Sequence, residues 1–144
     1  MLNAMLVLAV NRHSGQFDRG GKPYVMHCLT VMHYLKSDDE ELNCIAIGHD
    51  IVEDTPTPFS ELEALGFSVR VIEGIRAMTK NVGETYDEYK ERVKSNADAR
   101  KVKMADLRHN SDIRRLKGVT EKDLARIEKY HRFYVELQIL ENQG

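Results

Sequence analysis

The segment that decides the fold is Ile45–Thr55, with the sequence IAIGHDIVEDT. Its upstream part predicts a helix that is apolar on nearly every side, and such a helix is usually buried in a protein core. Polar side chains nevertheless interrupt it at His49, Asp50, Glu53 and Asp54. Charged groups are costly to bury unless they are paired or bound to a cation. The segment therefore predicts a divalent metal site, in which a remaining carboxylate acts on water.

Two further candidate ligands lie outside this segment. His27 occurs in an apolar helical pattern of its own, and Asp106 lies within Val102–Asn110. With His49 and Asp50 they would form a set of two imidazoles and two carboxylates, which suits Mn²⁺, Fe²⁺, Co²⁺ or Zn²⁺ better than Mg²⁺. Taken alone, His27 could be a core histidine, Asp106 a surface residue, and the His-Asp pair a frayed helix end. Their occurrence together favours the metal site.

The composition excludes several classes of protein. A chain of 144 residues can bury about two-thirds of its unfolded surface, and we expect a single domain over residues 1–144. Its net charge of −2 argues against a nucleic-acid partner and against a polybasic membrane anchor. The apolar run Met1–Val10 is too short to span a bilayer. Cys28 and Cys44 occur in apolar patterns that predict buried thiols, so we expect a reducing, cytoplasmic compartment.

The remaining patterns predict an all-α fold, a compact single-domain helical bundle. No stretch alternates with period two for long enough to form a strand. One predicted helix begins at Ser37 or Asp38 and carries the His-Asp pair through to the first proline. The last helix begins after Thr120, and its spacing places five side chains on the inward face: Leu124, Ile127, His131, Tyr134 and Leu137. Other helices are expected at about residues 3–13, from Pro23 onward, and at 60–65, 68–79, 85–96 and 97–112.

The order of the candidate ligands resembles that of the HD-domain metal-dependent phosphohydrolases. The chain is most similar to one branch of them, the hydrolase domain of Rel/SpoT-type alarmone enzymes. Three segments carry the resemblance: HSGQ at 13–16 followed by GKPYVMH at 21–27, HDIVEDT at 49–55, and ADLRHN at 105–110. The similarity covers about residues 4–140. It implies a small alarmone hydrolase without the synthetase and regulatory regions of the long family members.

The resemblance also implies roles for individual residues. It implies a set of four ligands for a divalent metal, usually Mn²⁺: His27, His49, Asp50 and Asp106. Glu53 and Asp54 take the catalytic positions that orient and deprotonate the attacking water, and Asn110 takes a position on the substrate side. We further expect Arg19 and Lys22, in the first Gly-rich loop, to contact phosphate or base. In this family the reaction removes the 3′-pyrophosphate from ppGpp or pppGpp, so a small-molecule nucleotide substrate is expected.

Asp18 departs from the family pattern. The long members carry two consecutive basic residues in the first loop, where this chain has Asp18-Arg19. Because a carboxylate cannot stack on a purine as a guanidinium does, we expect Asp18 to point away from the ligand and to pair with Arg19 or Lys22. The base would then be held less selectively, and Asp18→Arg would tighten guanine binding.

Two other functions remain open at this point. One is a related phosphohydrolase with another substrate, such as an adenine alarmone, a nucleoside monophosphate or a phosphorylated dinucleotide cofactor. The other is a non-catalytic HD module that binds a nucleotide. The sequence does not determine the oligomeric state.

Overall fold

The computed structural model describes residues 1–143. Over this range the chain forms α-helices joined by short loops, with no strand beyond one isolated bridge between Phe17 and Pro23. This arrangement confirms the predicted all-α fold class. The helices are α1 Leu2–Arg12, α2 Val25–Leu35, α3 Glu40–Gly48, α4 Ile51–Asp54, α5 Phe59–Ala64, α6 Val69–Met78, α7 Tyr86–Lys94, α8 Ala97–Asn110 and α9 Glu121–Gln143, with a 3₁₀ turn at Ile113–Arg115.

Helix α3 is the central element of the bundle. It packs against α1, α2, α6 and α8, and nearly all of its side chains from Leu42 onward are buried. Two glycines allow this close packing. A Cβ on Gly74 of α6 would lie 2.5 Å from Cδ1 of Ile45, and a Cβ on Gly48 would lie 2.8 Å from Sδ of Met5. The residue before the His-Asp pair is therefore small because Met5 of α1 occupies the space beside it.

The prediction of one helix running through the His-Asp pair is wrong. Helix α3 ends at Gly48, Asp50 has φ −105° and ψ 1°, and α4 begins at Ile51. Nδ1 of His49 lies 2.7 Å from the carbonyl oxygen of Ala46, which holds the imidazole against the end of α3. Successive side chains on a continuous helix diverge by about 100°. The interruption allows His49 and Asp50 to reach the same point.

The predicted start of α3 at Ser37 or Asp38 is also wrong. The capping residue is Asp39, whose Oδ1 accepts a hydrogen bond of 3.2 Å from the N–H of Leu42. Ser37 instead uses its Oγ to accept a hydrogen bond of 3.1 Å from the N–H of Asp39. Ser37 thus holds the backbone of the capping residue from two positions upstream.

Helix α9 differs from the predicted pattern at two positions. Thr120 precedes it as predicted, and its Oγ1 accepts a hydrogen bond of 3.2 Å from the N–H of Asp123. Leu137 is buried as predicted, and Ile127 and Tyr134 are partly buried. Leu124 and His131, which were also expected to face inward, are exposed, whereas Phe133 is buried. The reason is that α9 packs mainly on α8 and α7. These two helices cover only part of the side of α9 that its apolar pattern predicts to be buried.

The remaining sequence expectations concern the thiols and membrane segments. Cys28 and Cys44 are both buried and neither forms a disulfide. Within residues 1–143 no helix combines the length and the apolar character needed to cross a membrane.

Candidate metal centre and active site

Four side chains meet at the centre of the bundle. His27 lies in the first turn of α2, His49 and Asp50 lie at the break between α3 and α4, and Asp106 lies on α8. Each offers one ligand atom, and these atoms all lie within 4.8 Å of one another. The two histidines and Asp106 are buried, and the Asp50 side chain is only 14% exposed. The structure therefore brings together the four residues that were predicted as metal ligands.

The spacing of these atoms fits a single cation. Nε2 of His27 lies 2.9 Å from Oδ1 of Asp106, and Nε2 of His49 lies 2.9 Å from Oδ2 of Asp50. Ligand atoms that each lie about 2.1 Å from one ion are about 3 Å apart when they occupy neighbouring positions around it. Nδ1 of His49 donates a hydrogen bond to the carbonyl oxygen of Ala46, so Nε2 keeps its lone pair. Nε2 is buried and forms no hydrogen bond, although it lies close to Asp50. A buried imidazole lone pair beside two carboxylates is the donor set of a divalent metal.

Two neighbours hold the ligands from outside. Nζ of Lys103 lies 2.9 Å from Oδ2 of Asp106, so the outer oxygen of that carboxylate is paired. Nδ1 of His109 lies 2.7 Å from Nδ1 of His27, and the two rings stack with centroids 5.0 Å apart. Contacts of this kind fix the orientation of metal ligands. They leave Nε2 of His27 and Oδ1 of Asp106 facing the centre.

The charges at this centre favour ionised carboxylates. Burial alone would raise the pKa of Asp106, but Lys103 and the hydrogen bond with His27 lower it well below its usual range. Burial also opposes the ionisation of Asp50, yet His49 lowers the pKa of Asp50 to about 2. Burial would lower the pKa of His49, whereas Asp50 and Asp106 raise it well above its usual range. Two buried negative charges thus attract protons or a cation to the imidazoles.

Glu53 and Asp54 lie on α4 beside this centre and outside the group of four. Oε1 of Glu53 accepts a hydrogen bond of 2.7 Å from the N–H of Lys80. Both residues remain exposed to solvent. Partial loss of hydration raises the pKa of Asp54 to about 6, and the negative charges of Asp50 and Glu53 add to the effect. Loss of hydration also raises the pKa of Glu53. A carboxylate with a pKa near neutrality can accept a proton from water and release it again.

A pocket of about 310 Å³ adjoins the metal centre. Asn110 lines it and donates a hydrogen bond of 2.9 Å from Nδ2 to Oδ1 of Asp106. Tyr24 also lines it and donates a hydrogen bond of 2.5 Å from its hydroxyl to Oδ2 of Asp50. A ligand in this pocket would therefore touch side chains that are bonded directly to the centre.

The predicted substrate residues are divided between two cavities. Asn110 and Arg19 line the pocket beside the metal centre. Lys22 does not; it lines a neighbouring cavity of about 600 Å³. The pocket also contains three aromatic rings and further guanidinium groups, which the sequence did not assign: Phe17, Tyr24, Tyr130, Arg115 and Arg126.

The expectation for Asp18 is wrong. Its Oδ2 pairs with Nη2 of Arg115 at 2.9 Å, and not with the side chain of Arg19 or Lys22. Lys22 contacts the carboxylate of Asp18 only through its backbone N–H, which lies 2.9 Å from Oδ1 of Asp18. The reason is that the backbone makes a tight turn between Asp18 and Lys22. The carboxylate lines the pocket and does not point away from it. Burial alone would raise the pKa of Asp18, but the hydrogen bonds from Lys22 and Arg115 lower it.

Four of the residues that were not predicted contact predicted site residues directly: Tyr24, Lys103, His109 and Arg115. Helical spacing was the available signal for three of them, because Tyr24 precedes His27 by three residues while Lys103 and His109 flank Asp106 at the same spacing. The fourth, Arg115, lies beyond the end of α8, where no periodicity applies.

Comparisons of the sequence and of the structure with known proteins both find SpoT-related enzymes. No protein-family model matches the chain. It is 34% identical over 84 residues to the bifunctional (p)ppGpp synthase/hydrolase SpoT of Escherichia coli, which is 55% of this chain and 12% of that protein. It is 33% identical over 78 residues to the guanosine-3′,5′-bis(diphosphate) 3′-pyrophosphohydrolase of Haemophilus influenzae, 51% of this chain and 12% of that protein. The match thus spans about an eighth of the length of these relatives.

A solved structure extends the similarity to almost the whole chain. It is described as a metazoan ortholog of SpoT that hydrolyzes ppGpp and plays a role in starvation responses. It superimposes with a TM-score of 0.77 at 26% identity, over 94% of this chain and 84% of that one. The resemblance stated from the sequence motifs is confirmed: the chain is similar to SpoT-related enzymes in sequence over about half of its length and in fold over nearly all of it.

Proposed function

We propose that this chain is a metal-dependent 3′-pyrophosphohydrolase of (p)ppGpp. The observation that carries the proposal is the juxtaposition of three parts: the His-Asp centre, the adjacent carboxylates of α4, and a pocket lined by aromatic rings and guanidinium groups. Such a pocket fits a purine nucleotide, because aromatic rings stack on a base and guanidinium groups bind phosphate. The names of the relatives point to the same substrate.

The metal ligands in this proposal are His27, His49, Asp50 and Asp106. When bound, a divalent cation lowers the pKa of a coordinated water and offsets the charge of phosphate oxygens. The equal number of imidazole and carboxylate donors favours a transition metal over Mg²⁺, and we take Mn²⁺ as the ion. Lys103 and His109 hold Asp106 and His27 in place for this purpose.

Asp54 is the proposed general base and Glu53 orients the water. The pKa of Asp54, raised to about 6, is close to the pH at which a base is most effective. Glu53 is fixed by the N–H of Lys80, so one of its oxygens is already engaged. The water oxygen bonds to the phosphorus next to ribose O3′, and Asp54 accepts the proton that the water loses. The bond between that phosphorus and O3′ breaks, pyrophosphate leaves, and O3′ takes up a proton.

Asn110 and Arg19 are the proposed substrate contacts within the pocket. Asn110 donates to Asp106 through its amide nitrogen, so it lies where the ribose and the 3′-phosphates must pass to reach the centre. Arg19 lines the same pocket and supplies a positive charge for phosphate or base. We further propose that residues 1–144 are one HD-type domain, and that it works in the cytoplasm, where its free buried thiols stay reduced.

The test is a panel of nucleotides incubated with the purified protein and Mn²⁺, with phosphate and pyrophosphate release followed separately. We expect ppGpp to give GDP and pyrophosphate, with no release in the presence of EDTA. A matched pair of variants, His49→Ala at the centre and His131→Ala on the exposed face of α9, separates loss of the site from general damage. Release from adenine alarmones, nucleoside monophosphates or dinucleotides alone would contradict the substrate, and binding without release would contradict the activity.

A further inference from the structure

Asp18 and Arg115 join two loops that line the pocket. Asp18 belongs to the loop between α1 and α2, and Arg115 ends the 3₁₀ turn after α8. Oδ2 of Asp18 lies 2.9 Å from Nη2 of Arg115, and the two side chains are only 11% and 19% exposed. An ion pair that is shielded from solvent on both sides is held more firmly than a surface pair. The guanidinium of Arg115 is therefore fixed in direction.

The backbone reinforces this junction at Gly20. A Cβ at this position would overlap the carbonyl oxygen of Arg115, so only glycine allows the two loops to approach this closely. On the other side, Nη1 of Arg115 donates hydrogen bonds of 3.0 Å to the carbonyl of His109 and 3.1 Å to Oδ1 of Asn110. Asn110 in turn donates to Asp106. Polar contacts thus connect the first loop to the metal centre through Arg115.

Arg115 retains unused hydrogen-bonding capacity in the pocket. A guanidinium carries five N–H donors, of which three are engaged by Asp18, His109 and Asn110. The other two, on Nε and Nη2, have no acceptor among residues 1–143. Arg115 lines the pocket together with the rings of Phe17 and Tyr130. Arg115 also lines the neighbouring cavity of about 600 Å³. A planar base that stacks on these rings lies beside the guanidinium, which has two N–H groups available for the edge of the base.

We infer that Arg115 binds the purine base of the substrate and selects guanine, and that Asp18 is the positioning residue that aims it. This inference rests on the proposed nucleotide substrate. Guanine presents two acceptors, O6 and N7, on one edge, which a guanidinium can contact with two N–H groups. Adenine presents an amino group in place of O6, and that donor opposes an N–H. Asp18 therefore supports base selection, contrary to the effect expected from the sequence.

The experiment measures binding of GDP and of ADP by titration calorimetry in EDTA, where metal-dependent hydrolysis cannot take place. We expect the parent to bind GDP about tenfold more tightly than ADP. Arg115→Gln should bind GDP about tenfold more weakly and lose the preference. Arg114→Gln is the matched control, because the neighbouring arginine is 87% exposed and pairs only locally with Asp112. Asp18→Arg should resemble Arg115→Gln, because the two guanidinium groups repel each other.

The outcomes separate base selection from a structural role. If Arg115→Gln melts at a lower temperature but binds GDP like the parent, or if Asp18→Arg binds GDP more tightly, the inference is overturned. Should Arg115→Gln fail to fold, the swap variant D18R/R115D restores the ion pair with reversed polarity. It should fold but bind GDP and ADP equally, because a carboxylate at position 115 has no N–H group for the guanine edge, and a folded swap variant that keeps the parental preference for GDP overturns the inference.

Hydrolysis provides the second readout. With Mn²⁺ and ppGpp, Arg115→Gln should raise KM about tenfold and leave kcat near the parental value, because the base does not take part in the bond cleavage. Absence of hydrolysis in the parent, with GDP binding that still depends on Arg115, contradicts the proposed function and supports this inference. Parental hydrolysis with GDP binding independent of Arg115 contradicts this inference and supports the proposed function.

Discussion

Replacing Lys103 by Met is expected to destabilise the metal-free protein and to strengthen metal binding. Nζ of Lys103 lies 2.9 Å from Oδ2 of Asp106, and the two side chains are 15% and 6% exposed. Methionine keeps most of the length of the alkyl chain and removes the charge. Asp106 then keeps His27, His49 and Asn110 as its neighbours, but no permanent positive charge.

The magnitude follows from the burial of this pair. Removing one partner of a buried ion pair costs about 3–5 kcal/mol, and the two imidazoles place the present case near the lower end, at about 3 kcal/mol. A bound divalent cation supplies the missing charge, so the loss should fall to about 1 kcal/mol in saturating Mn²⁺. The difference of about 2 kcal/mol requires, by linkage, that Lys103→Met binds Mn²⁺ about 30-fold more tightly than the parent.

The assay is urea unfolding followed by circular dichroism, at neutral pH, in EDTA and in Mn²⁺, together with direct titration of the metal. Lys101→Met is the matched control, because this lysine lies on the same helix and is exposed. We expect it to change the free energy of unfolding by less than about 0.5 kcal/mol. Weaker Mn²⁺ binding by Lys103→Met would refute the reasoning. It would mean that the contribution of Lys103 to orienting Asp106 outweighs the competition between its charge and the metal.

Three further predictions concern the neighbours of the centre. Asp54→Asn should lower kcat by about 10²–10⁴-fold, as expected for loss of a general base, and Glu53→Gln should lower it less; steady-state kinetics that reverse this order would exchange the two roles. Because the folded-state pKa of Asp54 is raised to about 6, its carboxylate destabilises the metal-free fold increasingly as the pH rises from about 4 through 6. Asp54→Asn should therefore be more stable than the parent by about 1 kcal/mol above pH 6, after allowance for solvent screening, with no difference below about pH 4; equal unfolding curves at all pH values would contradict this. Gly48→Val should destabilise the protein by about 1–3 kcal/mol, since a Cβ there would lie 2.8 Å from Sδ of Met5, and Met5→Ala should restore part of the loss in thermal melts.

The four central residues could be found from the sequence because each lies in a short segment with its own chemical signal. His49 and Asp50 are anomalous in an apolar run, His27 lies in an apolar helical pattern, and Asp106 shares a predicted helix face with Val102 and Ala105. The break between His49 and Asp50 could not be found in this way. Helical periodicity continues across it, and the hydrogen bond from His49 to Ala46 that accompanies it depends on the packed structure.

The ion pair between Asp18 and Arg115 could not be predicted from the sequence, for a different reason. Its partner Arg115 is 97 residues away and lies in a loop without periodicity. Charge alone offered nearer candidates, Arg19 and Lys22, and the turn of the backbone excludes both as side-chain partners. Similarly, the apolar spacing of α9 does not reveal where the helix extends beyond the surface on which it packs, so Leu124 was placed inside although it is 57% exposed.

The central claim is that the His-Asp centre catalyses removal of the 3′-pyrophosphate. The most direct measurement mixes ppGpp with protein loaded with Mn²⁺ and separates the products by anion-exchange chromatography, for the parent and for Asp106→Ala. The parent should give GDP and pyrophosphate in equal amounts, while Asp106→Ala should retain no metal and leave ppGpp intact. Unchanged ppGpp in the metal-loaded parent, release of orthophosphate in place of pyrophosphate, or equal turnover by a metal-free Asp106→Ala protein would contradict the claim.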